Sequence, residues 1–193
     1  MIKNSIFKIK RKGKVKIKEN VEYVLRDKNG NIKPLFNPNF LGRFLLKKGL
    51  NVPRVPIFGS WKKSLRVSNL VVNAGMAGVA SRINGAGAEA AFTYIAIGTG
   101  TTAASASDTA LVAEIITGGG ARAAATASRV TTDVTNDTAQ LVVTFNFTAS
   151  FAVTESGVFN ASSGGTMLAR QVFSAINVSS GDSLQVTWKF DVD

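Results

Sequence analysis

Residues 183–193 read SLQVTWKFDVD, and the alternation in that string decides the fold. Leu184, Val186, Trp188, Phe190 and Val192 fall on one side, with Gln185, Thr187, Lys189 and Asp191 on the other. A period of two is the mark of a β-strand with one dry face. A register slip of one residue would turn the whole apolar set to water, so the pairing is strongly specified. Residues 138–150, TAQLVVTFNFTAS, repeat the pattern, with Leu141, Val143, Phe145 and Phe147 opposed to Val142, Thr144, Asn146 and Thr148.

Between and around these strings the turn signals are regular. Gly157, Gly164-Gly165 and Gly181-Asp182 separate further strands at Val153–Phe159 and Met167–Phe173. Upstream, 92–97 (FTYIAI) is a strand of β-branched and aromatic residues, and Ala123–Val134 is rich in Thr and Val. Gly118-Gly119-Gly120 reads as a flexible joint. Two helices are expected. One runs through Met76, Val79, Ala80 and Ile83, with small residues on its flank to approach a sheet. The other is capped by Ser107 or Asp108 and runs through Ile115. The fold class is therefore mainly β: an antiparallel β-sandwich, jelly-roll or Ig-like, with two short flanking helices and an extended basic N-terminal arm.

The charge divides the chain. Residues 1–66 hold 18 Lys and Arg against 3 Asp and Glu, a net +15, while residues 67–193 hold 5 against 9, a net −4. All four prolines, Pro34, Pro38, Pro53 and Pro56, lie in the first part. The reading is a basic arm over 1–67 and a sandwich over 68–193. In the arm, Lys14-Val15-Lys16-Ile17-Lys18 and Val21–Arg26 alternate as strands, and Asn29-Gly30 supplies a hairpin turn returning through Ile32. A short helix near Phe40–Lys48, closed by Gly49, fits the next stretch.

Composition excludes several chemistries. The chain has no Cys and no His, which removes thiolate metal sites, the Cys nucleophile, the commonest general base and the commonest zinc ligand. Leu70–Ala80 is too short to span a bilayer, and the Lys-rich start is no signal peptide. A cytoplasmic beginning is expected. Gly98-Thr99-Gly100 lacks the third glycine of a dinucleotide loop, and no GK[ST] follows any Gly-rich stretch. The carboxylates are scattered; none is selected as a glycosidase pair, and Asp108 and Asp182 suit cap and turn roles. Glu155 and Arg170 lie on neighbouring strands and fit either a cross-strand ion pair or two solvated charges. No enzyme activity, cofactor, metal or small-molecule substrate is expected.

The arm carries the candidate interface. Phe36, Phe40, Arg43, Phe44, Arg54, Phe58 and Trp61 are the residue types that dominate binding surfaces. A net +15 also suits phosphates or an acidic protein. The arm is expected to cross a neighbouring chain rather than fold back wholly on the body.

Residues 68–193 carry a resemblance. The strings are 69–75 (NLVVNAG), 94–102 (YIAIGTGTT) and 107–111 (SDTAL), followed by 152–160 (AVTESGVFN), 167–170 (MLAR) and 181–188 (GDSLQVTW). In this order they resemble a module of tailed-bacteriophage structural proteins, in tail fibres, collars, baseplate-associated and capsid-decorating proteins. The resemblance implies a non-enzymatic, homo-oligomeric virion subunit, present in the host cytoplasm during assembly and then in the particle. Its partners would be other virion proteins and copies of itself. It implies a seat on the tail, neck or fibre attachment region. The alternatives are a cement protein on the head, or a nucleic-acid-binding accessory protein that uses the basic arm. A membrane partner is not expected.

Overall fold

The computed structural model describes residues 17–48, 50 and 52–192. The Lys14–Lys16 alternation and the helix-closing Gly49 lie outside the described residues.

The chain runs β1 (Ile17–Arg26), β2 (Ile32–Lys33), β3 (Leu35–Pro38), α1 (Phe40–Lys47), β4 (Gly59–Lys62), β5 (Leu65–Val67), β6 (Leu70–Val71) and α2 (Asn73–Asn84). It continues β7 (Tyr94–Gly98), β8 (Ala123–Ala124), β9 (Thr126–Val130), β10 (Thr138–Asn146), β11 (Phe151–Phe159), β12 (Met167–Val178) and β13 (Ser183–Val192). All pairings are antiparallel. One sheet has the order β2-β1-β13-β10-β9, with β5 also on β1; the second has β6-β12-β11-β7-β8. β3 and β4 pair as a separate two-stranded ribbon, with Leu35 of β3 in the common core.

The alternating strings form the centre of the first sheet. β10 and β13 pair from Thr138 opposite Asp191 to Asn146 opposite Ser183. Their dry sides, Leu141, Val143, Phe145, Leu184, Val186, Trp188 and Phe190, enter one core with Val153, Val158, Phe173 and Ile176 of the second sheet. Val192, at the strand end, is exposed. The two sheets are also tied across the core: the Tyr23 hydroxyl shares a hydrogen bond with Ser156 Oγ, and its ring lies 4.2 Å from that of Phe173. This is the antiparallel sandwich that the alternation predicts.

The compositional boundary near Arg66 is not a structural one. β1 lies inside the first sheet, paired with β13 from Ile17 opposite Val192 to Arg26 opposite Ser183, and with β5 on its other side. Val21, Tyr23 and Leu25 are core residues. Of the residues read as arm, 17–26 and 65–67 are strands of the body's first sheet. The alternation in β1 places apolar side chains in the core, while Glu22 and Arg26 face outward; charge on the wet face does not decide where a strand docks. The Asn29-Gly30 turn forms as expected, with Gly30 at φ +84° and β2 returning beside Leu25 and Arg26.

Other expectations change. The long strand over 123–134 is two strands, β8 in the second sheet and β9 in the first. The chain changes sheet at Ala125, whose N–H is held by Thr93 O at 2.7 Å. The helix over 108–115 is absent: these residues are irregular, with Glu114 bridged to Gly98 and the N–H groups of Val112 and Ala113 taken by Glu155. In α2 the apolar stripe divides, with Val79 packed on the core and Met76 and Ile83 exposed. Its small flank packs as well, with Gly75 and Gly78 buried. A Cβ on Gly75 would run into the carbonyl of Leu168. Close backbone approach outweighs burial of two larger side chains here. The 118–120 glycines are likewise no flexible joint: Gly119, at φ +84°, lies against Asn146 O with no room for a Cβ.

Candidate functional interface

Two groups of residues hold the chemistry of this molecule, one inside and one outside. The inner group is built on the facing strands β11 and β12. Glu155 and Arg170 stand diagonally across the pair, since Glu155 is opposite Val172 and Arg170 opposite Gly157. Both are fully buried. Arg170 Nε and Nη2 donate to Glu155 Oε2 at 2.9 and 2.8 Å. Arg170 Nη1 donates to Asp108 Oδ2 at 2.7 Å, and Nη2 also to Thr102 O at 2.9 Å. Glu155 further accepts the backbone N–H groups of Gly100, Val112 and Ala113 at 3.0, 3.1 and 2.8 Å.

Gly98 and Gly100 let the loop come this close, for a Cβ on either would strike Glu155 Oε1. The Gly-Thr-Gly string thus receives a carboxylate of its own chain. The ion-pair reading of Glu155 and Arg170 holds, and solvated charges do not. Asp108, expected as a helix cap, is the second carboxylate on Arg170. With both its oxygens engaged, Glu155 fastens the 99–113 loop to the sheet. Arg122 repeats the device at the next turn. It forks onto Glu114 at 2.9 and 2.7 Å, lies 3.7 Å over the Phe159 ring and donates to the carbonyls of Ala161 and Gly164.

The outer group is the β3-α1-β4 projection. Asn39 shapes its base, donating to Ile57 O at 2.9 Å and accepting the Gly42 N–H at 3.0 Å. A Cβ on Gly42 would meet Phe58 O, so the helix rests directly on the 53–58 turn. The seven residues picked from sequence divide here. Phe36 is buried, edge-on to Trp61 with centroids 5.6 Å apart, and Phe58 is half-buried. Phe40 is 86% exposed, and Phe44 and Trp61 are about half exposed. Arg43 is exposed, with Nε on Pro38 O at 3.0 Å, and Arg54 reaches across to Ala175 O at 2.9 Å. Arg54 and Trp61 also flank a cleft of about 280 Å³ between the projection and β12.

Sequence reading missed the aliphatic part of this surface: Leu41, Leu50, Val55 and Ile57 are exposed too. Their signal was present, since Leu50, Val55 and Ile57 fall among prolines and glycine with no period that would bury them. Lys48, Lys62 and Lys63 are exposed around the patch, and Lys48 sits 6.0 Å from the Phe44 ring. Exposed apolar side chains ringed by polar ones are the form of a protein-binding site. Among the described residues no helix is long and apolar enough to cross a membrane. No family model, no curated protein and no solved structure matches this chain.

Proposed function

We propose that this chain is a non-enzymatic structural subunit, docked through its β3-α1-β4 projection on the tail, neck or fibre attachment region of a tailed-bacteriophage virion. The observation that carries the docking role is the exposure of three aromatic side chains, Phe40, Phe44 and Trp61, together with Ile57, on one projection. Such side chains bind by being covered, and a subunit held permanently in a particle covers them. The motif order over 68–193 supports the virion class. The saturated Glu155 carboxylate supports a structural rather than catalytic use of the most buried charges.

The test is incorporation. The triple variant Phe40→Ala, Phe44→Ala, Ile57→Ala keeps the charge and the core, and is expected to fold but to be lost from purified particles. Removal of residues 1–16 alone leaves β1 in place, so it separates the projection's contribution from that of the extreme N-terminus. Normal occupancy of the triple variant would end this reading.

A further inference from the structure

The projection has a charge pattern that selects its occupant. From Lys28 to Ala88 the sequence contains Lys and Arg but no Asp or Glu. On the projection Arg43, Lys48, Arg54, Lys62 and Lys63 are all exposed. The rest of the molecule spends its carboxylates internally. Asp108, Glu114 and Glu155 are taken by Arg170 and Arg122, Asp182 by Lys33 at 2.7 Å, and Asp191 accepts from Thr138. Among the described carboxylate side chains, Asp133 alone is exposed.

We infer that the projection takes an acidic protein surface that brings apolar side chains of its own, in preference to a second copy of this chain or a nucleic acid. This rests on the docking role proposed above. Among its described side chains a second copy would offer one exposed carboxylate, Asp133, and projection against projection would set cations against cations at a cost in affinity. Residues 1–16 of the same chain are no better, since they contain Lys and Arg and no acidic residue. A nucleic acid supplies anions but meets the wrong remainder. Bases stack on Phe and Trp, yet Leu41, Leu50, Val55 and Ile57 give neither a stacking plane nor a donor. An acidic protein with an apolar groove satisfies both parts. The carboxylates speed and orient the encounter, and burial of the apolar side chains holds the complex.

The experiment uses the full chain and four probes: the chain itself by sedimentation velocity, and poly-glutamate, a glutamate–tyrosine copolymer and oligo(dT) by Trp fluorescence titration. Each is repeated on the Phe40→Ala, Phe44→Ala, Ile57→Ala variant, which changes no charge. The copolymer is expected to bind more tightly than poly-glutamate or oligo(dT), and about tenfold or more of that affinity should vanish in the variant. Self-association abolished by the variant would overturn the inference in favour of a second copy. Tighter, variant-sensitive binding of oligo(dT) would overturn it in favour of nucleic acid. Copolymer binding unchanged in the variant, or no binding at all, would overturn it as well. Particle incorporation is scored separately, so the docking role survives if incorporation needs the apolar residues while the partner proves not to be acidic.

Discussion

Arg170 and Glu155 meet at 2.8 Å with neither side chain reaching solvent. A guanidinium and a carboxylate buried together are tolerable only because every face of the pair has a partner. Breaking one side leaves a charge with no water to receive it. Arg170→Met is therefore expected to destabilise the protein by about 3–5 kcal/mol. The double variant Arg170→Met, Glu155→Gln should cost less than the sum of the singles. Urea denaturation of all four proteins measures this, and strict additivity would contradict the coupling.

Two glycines with the same positive φ should behave differently. Gly30 and Gly119 both stand at φ +84°. A Cβ on Gly30 meets nothing, whereas one on Gly119 strikes Asn146 O. Gly30→Ala is expected to cost about 1 kcal/mol, from backbone strain alone. Gly119→Ala must also move the backbone before β10's end and should cost clearly more. Equal midpoints in urea would mean that the 117–120 turn yields easily.

The two tryptophans should report different surroundings. Trp188 is fully buried and stacks on Phe190 with centroids 5.8 Å apart, while Trp61 is about half exposed among lysines. Iodide is expected to quench Trp61 strongly and leave Trp188 emitting. Trp61→Phe should then remove the quenchable fraction with little change in stability. Trp188→Ala should cost about 3–5 kcal/mol. A quenchable fraction that survives Trp61→Phe would place Trp188 nearer to water than the fold allows.

Acid and alkali should act at different places. The backbone N–H of Val134, with those of Thr132 and Asp133 and the Thr138 hydroxyl, holds the Asp137 carboxyl well below the usual range. A depressed carboxyl contributes stability that is present above the ordinary Asp value of about 3.9 and lost as pH falls from there towards the folded value. Asp137→Asn should flatten the fall in stability in that window. Burial pushes the Tyr23 hydroxyl up, partly opposed by its hydrogen bond to Ser156. The folded chain thus favours the neutral phenol, with full stability below about pH 10 and loss above it. Tyr23→Phe should remove that alkaline loss. Stability curves of the variants against pH check both signs.

The legible part of the sequence was the part governed by a period. In 141–147 and 184–190 the side chains that must be dry recur every second residue, so strand, face and burial followed together. Residues 108–115 were not legible, because a cap residue and helical spacing say nothing of a carboxylate that arrives from Glu155 far along the chain. β1 misled for another reason. Its place in the basic stretch 1–66 suggested membership of an arm, but Val21, Tyr23 and Leu25 choose the sheet. In the projection, composition found the aromatic anchors but not their direction. Phe36 lies within β3 and turns inward to Trp61 and the cleft, while Phe40 opens α1 and turns out.

The pairing of β1 with β13 sets an order of events for the making of this protein. Among the described strands the first and the last are hydrogen-bonded neighbours, with Ile17 beside Val192. During synthesis β1 emerges well before its partner, since β2 to β12 lie between the two in the chain. Until β13 arrives, β1 and β10 each lack the strand that will lie between them, and Tyr23 has only part of its surroundings. Folding of the first sheet thus has a large loop to close, the kind of topology that folds slowly. A nascent chain stalled before residue 183 would carry open strand edges able to pair with a neighbour. Arrival of β13, rather than emergence of any earlier strand, is the moment at which the first sheet becomes continuous.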